Sequence, residues 1–119
     1  MARQSISLIS CSGRGSLHNR KLITSEQAIA VEALFSVLAN DTRLRMLHEI
    51  ARRGEICVND LADALEMKPQ AVSNQLQRLH DKGVVASRRS GINIYYRIIN
   101  DCVTDLLDRG LCLVEGGAD

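Results

Sequence analysis

Tryptophan is absent from the chain, and phenylalanine and tyrosine together supply only one and two of its 119 residues. A protein that binds unpaired bases needs aromatic platforms to stack them on, so this scarcity argues against a single-strand binder. Long apolar runs are missing as well. None approaches the ~20 residues needed to span a bilayer. Leu8-Ile9-Ser10-Cys11 superficially looks like a lipoprotein cleavage site, but the preceding segment lacks the apolar stretch of a signal peptide. The expected location is the cytoplasm, with no membrane partner. The four cysteines, Cys11, Cys57, Cys102 and Cys112, are then expected as reduced thiols. Histidine occurs only at His18, His48 and His80, with no shared ligand spacing. No nucleophile–base pair, phosphate loop or paired carboxylates stand out, so neither an enzyme nor an organic cofactor is expected.

What is present is an ordinary globular composition, 45% apolar and 24% charged, of a length that suits one domain. The net charge of +1 is unevenly spread. Lys68, Arg78, Lys82, Arg88, Arg89 and Arg97 outweigh Asp63, Glu66 and Asp81 in the middle of the chain. Past residue 100, Asp101, Asp105, Asp108, Glu115 and Asp119 face Arg109 alone. The middle can face phosphates, and the acidic tail should turn away from them.

Residues 1–24 are rich in Ser, Gly and Arg and lack periodicity, so they read as a flexible arm before a domain spanning 25–119. Thr24 or Ser25 can cap a first helix whose apolar residues are Ile29, Val31, Leu34, Phe35 and Leu38. Asn40-Asp41-Thr42 breaks it and starts a second helix, with Leu44, Met46, Leu47 and Ile50, that stops near Gly54. A short apolar segment, Ile56-Cys57-Val58, precedes a third helix capped by Asn59 or Asp60. Pro69 suits the first position of a fourth helix that runs to about Asp81. Val84–Ser87 and Ile92–Ile98 predict a β-hairpin with Arg88-Arg89-Ser90-Gly91 at its tip, and Asn100-Asp101 can cap a last helix. The fold class is mainly α with a small β-hairpin, in the order of a winged helix-turn-helix.

On the fourth helix Val72, Leu76 and Leu79 share one face, while Gln70, Ser73, Asn74 and Gln77 share the other. Amide and hydroxyl side chains on an exposed stripe can pair with base edges in a major groove. Lys68, Arg78, Arg88 and Arg89 are the flanking cations expected to reach phosphates or the minor groove. The first and last helices carry more apolar residues than a three-helix core needs, which points to a partner surface and to two-fold pairing.

Several segments are similar to the ArsR/SmtB family of bacterial metal-sensing repressors. They are Leu38-Ala39-Asn40-Asp41-Thr42-Arg43-Leu44-Arg45, Glu55-Ile56-Cys57-Val58-Asn59-Asp60-Leu61, Ala71-Val72-Ser73-Asn74-Gln75-Leu76 and Gly83-Val84-Val85 with Tyr95-Tyr96-Arg97. The resemblance covers roughly residues 26–115. It implies a homodimer, dimerising through the first and last helices, bound to an inverted repeat in double-stranded operator DNA and released by an inducer. Many relatives carry Cys-Val-Cys-Asp at the start of the third helix; here the sequence is Cys57-Val58-Asn59-Asp60, with the second cysteine missing. In some relatives arm cysteines complete such a site, a role that would fall to Cys11. Others bind zinc on the last helix through Asp, His and Glu, where this chain has no His; Cys102 lies near one of those His positions and Cys112 close to another.

Cys102 and Cys112 are ten residues apart, roughly 15 Å along a helix. They cannot share an ion within one chain when metal–sulfur bonds are ~2.3 Å. Antiparallel packing across a dimer would bring Cys102 to Cys112 of the partner subunit. Thiolates without nearby imidazoles favour a soft inducer of the Cd, Pb, Hg or As(III) class. Two readings compete: a thiol redox or persulfide sensor of the same fold, and a winged-helix protein-interaction module.

Overall fold

The computed structural model describes residues 16–116. A single 3-10 turn, Leu17–Asn19, is followed by α1 (Ser25–Leu38), α2 (Asp41–Arg53), β1 (Ile56–Cys57), α3 (Val58–Leu65), α4 (Pro69–Asp81), β2 (Val85–Ser90), β3 (Asn93–Ile98) and α5 (Asp101–Val114). The first fifteen residues of the expected arm, Cys11 among them, lie outside the described residues. Residues 17–24 lie exposed.

Helix boundaries follow local chemistry. At α1 the Thr24 hydroxyl accepts from the Gln27 amide at 3.0 Å, while the Gln27 side chain accepts from the Thr24 amide at 2.8 Å. This reciprocal pair satisfies two amide donors that have no partner within the helix. Asn40 Oδ1 accepts from the Arg43 amide at 3.0 Å at the start of α2, and Gly54, at φ +81°, ends it. Pro69 opens α4 at a position where a missing N–H costs nothing. The third helix begins earlier than expected. Cys57 itself is the N-cap residue of α3 and makes no side-chain cap, so neither Asn59 nor Asp60 serves that role.

The sheet has three strands, not the two of a bare hairpin. Its order is β1-β3-β2, with β1 antiparallel to β3 through Ile56↔Tyr96 and Cys57↔Tyr95. The hairpin is longer in its first strand than the sequence suggests. Ser90 pairs Asn93, so the turn is Gly91-Ile92, and Arg88 and Arg89 sit within β2, opposite Tyr95 and Ile94. Gly91 is at φ +65° and Ile92 is not at positive φ, the pattern of a II′ turn, whose twist matches the strands. Space does not impose the glycine, because an added Cβ would meet nothing within 4 Å; the backbone angle does.

One core joins these elements. Met46, Leu47 and Ile50 from α2, Leu61 from α3, Val72, Leu76 and Leu79 from α4, and Val84 and Val85 at the base of the hairpin are almost fully buried. Fully burying one such side chain stabilises the fold by about 1.5–3 kcal/mol. The flanking helices contribute little to this core. α1 buries only Val37 and Leu38, and α5 only Val103.

Candidate nucleic-acid interface and cysteine positions

α3 packs against α4 across a short turn in which Glu66 adopts a left-handed conformation, φ 57°. The turn is closed by Met67 N donating to Ala62 O at 2.9 Å. With Val72, Leu76 and Leu79 inward, α4 presents Gln70, Asn74 and Gln77 to solvent, and Ser73 is half-buried beside them. The exposed amides are pre-oriented. Gln70 Nε2 donates to Asn74 Oδ1 at 3.0 Å, and Gln77 Nε2 donates to Asp81 Oδ1 at 2.9 Å. Such bonds hold rotamers that would otherwise have to be ordered on contact with bases.

Two of the expected cations are placed differently from the stripe. Lys68 is the exposed N-cap residue of α4, and Arg78 lies on the flank of that helix. There it lines a cleft with Ser36, Val37, Arg43, Asp81 and Lys82. Arg89 is exposed on β2. Arg88 is not at a free tip. Its Nε and Nη2 donate to the two carboxylate oxygens of Glu55, each at 2.8 Å, and its guanidinium carbon stands 4.8 Å from the centre of the Tyr95 ring. This fork-to-fork pair holds the Glu55 carboxyl below its ordinary value, chiefly through the hydrogen bonds and then through the neighbouring charge, and it raises that of Arg88. Glu55 entered the sequence reading only within the segment that resembles the family, with no role given to it. The only available hint is an acid immediately before the apolar segment that becomes β1. Tyr96 packs in the core, and Tyr95 forms a half-buried base for Arg88.

The described cysteines differ in burial and in state. Cys57 is buried between β1 and α3 with a free thiol, and Cys112 is exposed near the end of α5, also free. Cys102 is half-buried in the first turn of α5 and is disulfide-bonded, which departs from the expectation of reduced thiols. Among the described residues no group of three or more His, Cys, Asp or Glu side chains could hold a metal. His18, His48 and His80 are exposed.

Where α1, α2 and α5 meet, an open apolar groove of about 360 Å³ is lined by Phe35, Leu38, Leu47, Val103, Leu106 and Val114, among others. Phe35, Leu106, Leu111 and Val114 are all exposed in a single copy. No helix among the described residues is long and apolar enough to cross a membrane.

A helix pair with an amide-lined outer helix, followed by a two-stranded wing, defines a winged helix-turn-helix. A family model described as the MarR family matches residues 40–91, the segment from the start of α2 to the wing turn. The arsenic resistance transcriptional regulator ArsR1 of Pseudomonas putida is 40% identical over 81 residues, 68% of this chain and 59% of that protein. The chain thus spans about three-fifths of that relative's length. Among solved structures, the AntR antimony-specific transcriptional repressor superimposes with a TM-score of 0.78 at 58% identity, over 90% of this chain and 96% of that one. The homodimeric winged helix-turn-helix DNA-binding domain Mb0332 of Mycobacterium bovis, a possible ArsR-family regulator, gives 0.69 at 29% identity, over 84% and 94%. The chain belongs to the ArsR/SmtB family of transcriptional regulators, which are not enzymes.

Proposed function

We propose that this protein is a homodimeric cytoplasmic repressor. It binds an inverted-repeat operator and releases it when a trivalent metalloid, antimony or arsenic, is captured by its cysteine thiolates. The observation that carries the reading is the 58% identity, over nine-tenths of the chain, to an antimony-specific repressor. A ligand set of thiols without adjacent imidazoles suits the same soft ions and, by chemistry alone, Cd, Pb and Hg as well.

In this reading Gln70, Ser73, Asn74 and Gln77 read base edges, and Lys68, Arg78 and Arg89 contact phosphates. Arg88 stiffens the wing as well as lending charge to it. The apolar groove between α1 and α5 is covered by the second copy, which places two reading helices on successive half-sites. Two arrangements of the reduced thiolates fit this reading. Cys102 with Cys112 of the partner subunit is one arrangement, and Cys57 with Cys11 is the other. Release requires the inducer to prefer a dimer whose half-site spacing mismatches DNA. A typical coupling of ~1–3 kcal/mol weakens operator binding ~5–150-fold.

Titrating the fully reduced protein with antimonyl tartrate, while following sulfur-to-metalloid absorption in the ultraviolet, tests the site. Saturation that is lost in particular Cys→Ser variants supports the reading and names the ligands. Saturation retained in all four single variants and in the fourfold variant removes it. The disulfide at Cys102 favours a second reading, a thiol redox sensor of the same fold. Diamide-induced release in the absence of any metalloid would distinguish the two.

A further inference from the structure

We propose that Arg43 is a positioning residue that ties the reading helix to the dimerisation helix, so that the half-site spacing accepted on DNA is held through Gln75. The inference rests on the reading of the chain as a dimeric operator-binding protein.

Arg43 belongs to the first turn of α2, yet it touches both of the other helices that matter for reading DNA. Its Nε donates to the carbonyl of Val37 at 2.6 Å, and its Nη1 donates to Gln75 Oε1 at 2.8 Å; both bonds are partly buried. Val37 lies in the last turn of α1, where carbonyls have no partner within the helix. Gln75 lies on α4, next to Asn74 of the exposed stripe but half-buried and turned toward α2. The Arg43 amide is itself held by the Asn40 side chain. One planar guanidinium is therefore bonded to the end of α1 and to the flank of α4 from a fixed base on α2.

The chemistry suits a mechanical role. A guanidinium presents its donors in a rigid fork, so the two acceptors cannot shift independently without losing a charge-assisted bond. Rotation of α4 about its axis carries Gln75 away, and tilting α1 moves Val37. Phe35 and Leu38, on either side of Val37, line the apolar groove, so displacement of that groove by a second copy reaches the reading helix directly through this tie. Gln75 is a neutral acceptor, so the tie leaves the charge of Arg43 intact in the cleft it shares with Arg78 and Lys82. The acid lining that cleft, Asp81, accepts instead from Gln77.

The test uses the full chain and an inverted-repeat duplex selected from a random pool by the wild-type protein. Versions with one base pair added or removed between half-sites, and a random duplex, serve for comparison. Gln75→Leu removes the acceptor and leaves Arg43 on Val37. It is expected to keep the dimer and the affinity for random duplex, to lose about tenfold on the selected duplex, and to flatten the preference among spacings by a similar factor. Gln75→Glu keeps an acceptor for Arg43 and is expected to retain the preference. A Leu variant with wild-type spacing preference, or one weakened equally on selected and random duplex, overturns the proposal. So does a Glu variant as indiscriminate as the Leu variant. If the Leu variant does not fold, Gln75→Ala, which also lacks the acceptor, takes its place with the same expected and overturning results. A wild-type protein that selects no inverted repeat sinks the underlying reading instead, and this inference with it.

Discussion

Val114→Asp probes the apolar face that one copy leaves open. Val114 is 79% exposed in the single chain, so the substitution removes almost nothing from the monomer's own core. In a dimer that covers the groove, the same side chain becomes buried. Fully burying a valine is worth at least ~1.5 kcal/mol, and about four-fifths of that, ~1.2 kcal/mol, is still to be gained on pairing. A two-fold interface counts the change twice, so lost apolar burial alone weakens dimerisation by ~2.4 kcal/mol, roughly 50-fold in Kd. An unpaired carboxylate in the groove adds to this. Sedimentation velocity over a hundredfold concentration range should find Val114→Asp monomeric where the wild type is dimeric, with an unchanged far-ultraviolet circular dichroism spectrum. Dimerisation at wild-type strength would refute the assignment of this face, and a variant that is both monomeric and unfolded would refute the claim that the single copy does not depend on Val114.

Other perturbations separate the parts of the DNA-binding surface. Asn74→Ala should cost ~1–3 kcal/mol on a selected duplex and relax discrimination at the base it reads, with little effect on random DNA, as measured by competition binding. Arg89→Ala should weaken binding to all duplexes alike and lower the slope of log K against log salt by about one. The Glu55–Arg88 pair predicts an acid-sensitive wing. The Glu55 carboxyl is held below its ordinary value of 4.5 in the folded state, so its contribution is complete above that pH and is lost as pH falls through the lowered folded value. Amide exchange across β2 and β3 should therefore rise at the acid end in the wild type, and Glu55→Gln should remove that dependence. Leu76→Ala, at a fully buried position of α4, should cost ~2–5 kcal/mol in denaturant unfolding and leave no residual operator binding near the wild-type melting temperature.

The helices were legible in the sequence because their signals are local. Thr24, Asn40 and Asn100 accept from amides two or three residues ahead, and Pro69 and Gly54 act through their own backbone angles. The 3.6-residue spacing of Val72, Leu76 and Leu79 likewise fixed which face of α4 stays outside. β1 escaped because a two-residue strand has no alternation to detect and exists only through the edge that β3 offers it. The longer β2 escaped for a related reason. Arg88 and Arg89 look like turn residues until Glu55 and Tyr95 are known to hold Arg88 flat on the sheet. That bond joins residues 33 apart in the chain, and the Arg43–Gln75 bond joins residues 32 apart. Neither leaves a periodic trace. The cysteines show the same limit: each position was evident, but which of them act together is not written in their spacing.

The most direct measurement is fluorescence anisotropy of a labelled selected duplex with reduced protein, titrated with antimonyl tartrate. Tight binding that weakens steeply with salt is expected, with release as the metalloid is added and no release from the variant in which all four cysteines are serine. A duplex that stays bound at saturating metalloid, or that leaves equally well from the cysteine-free variant, contradicts the proposed function.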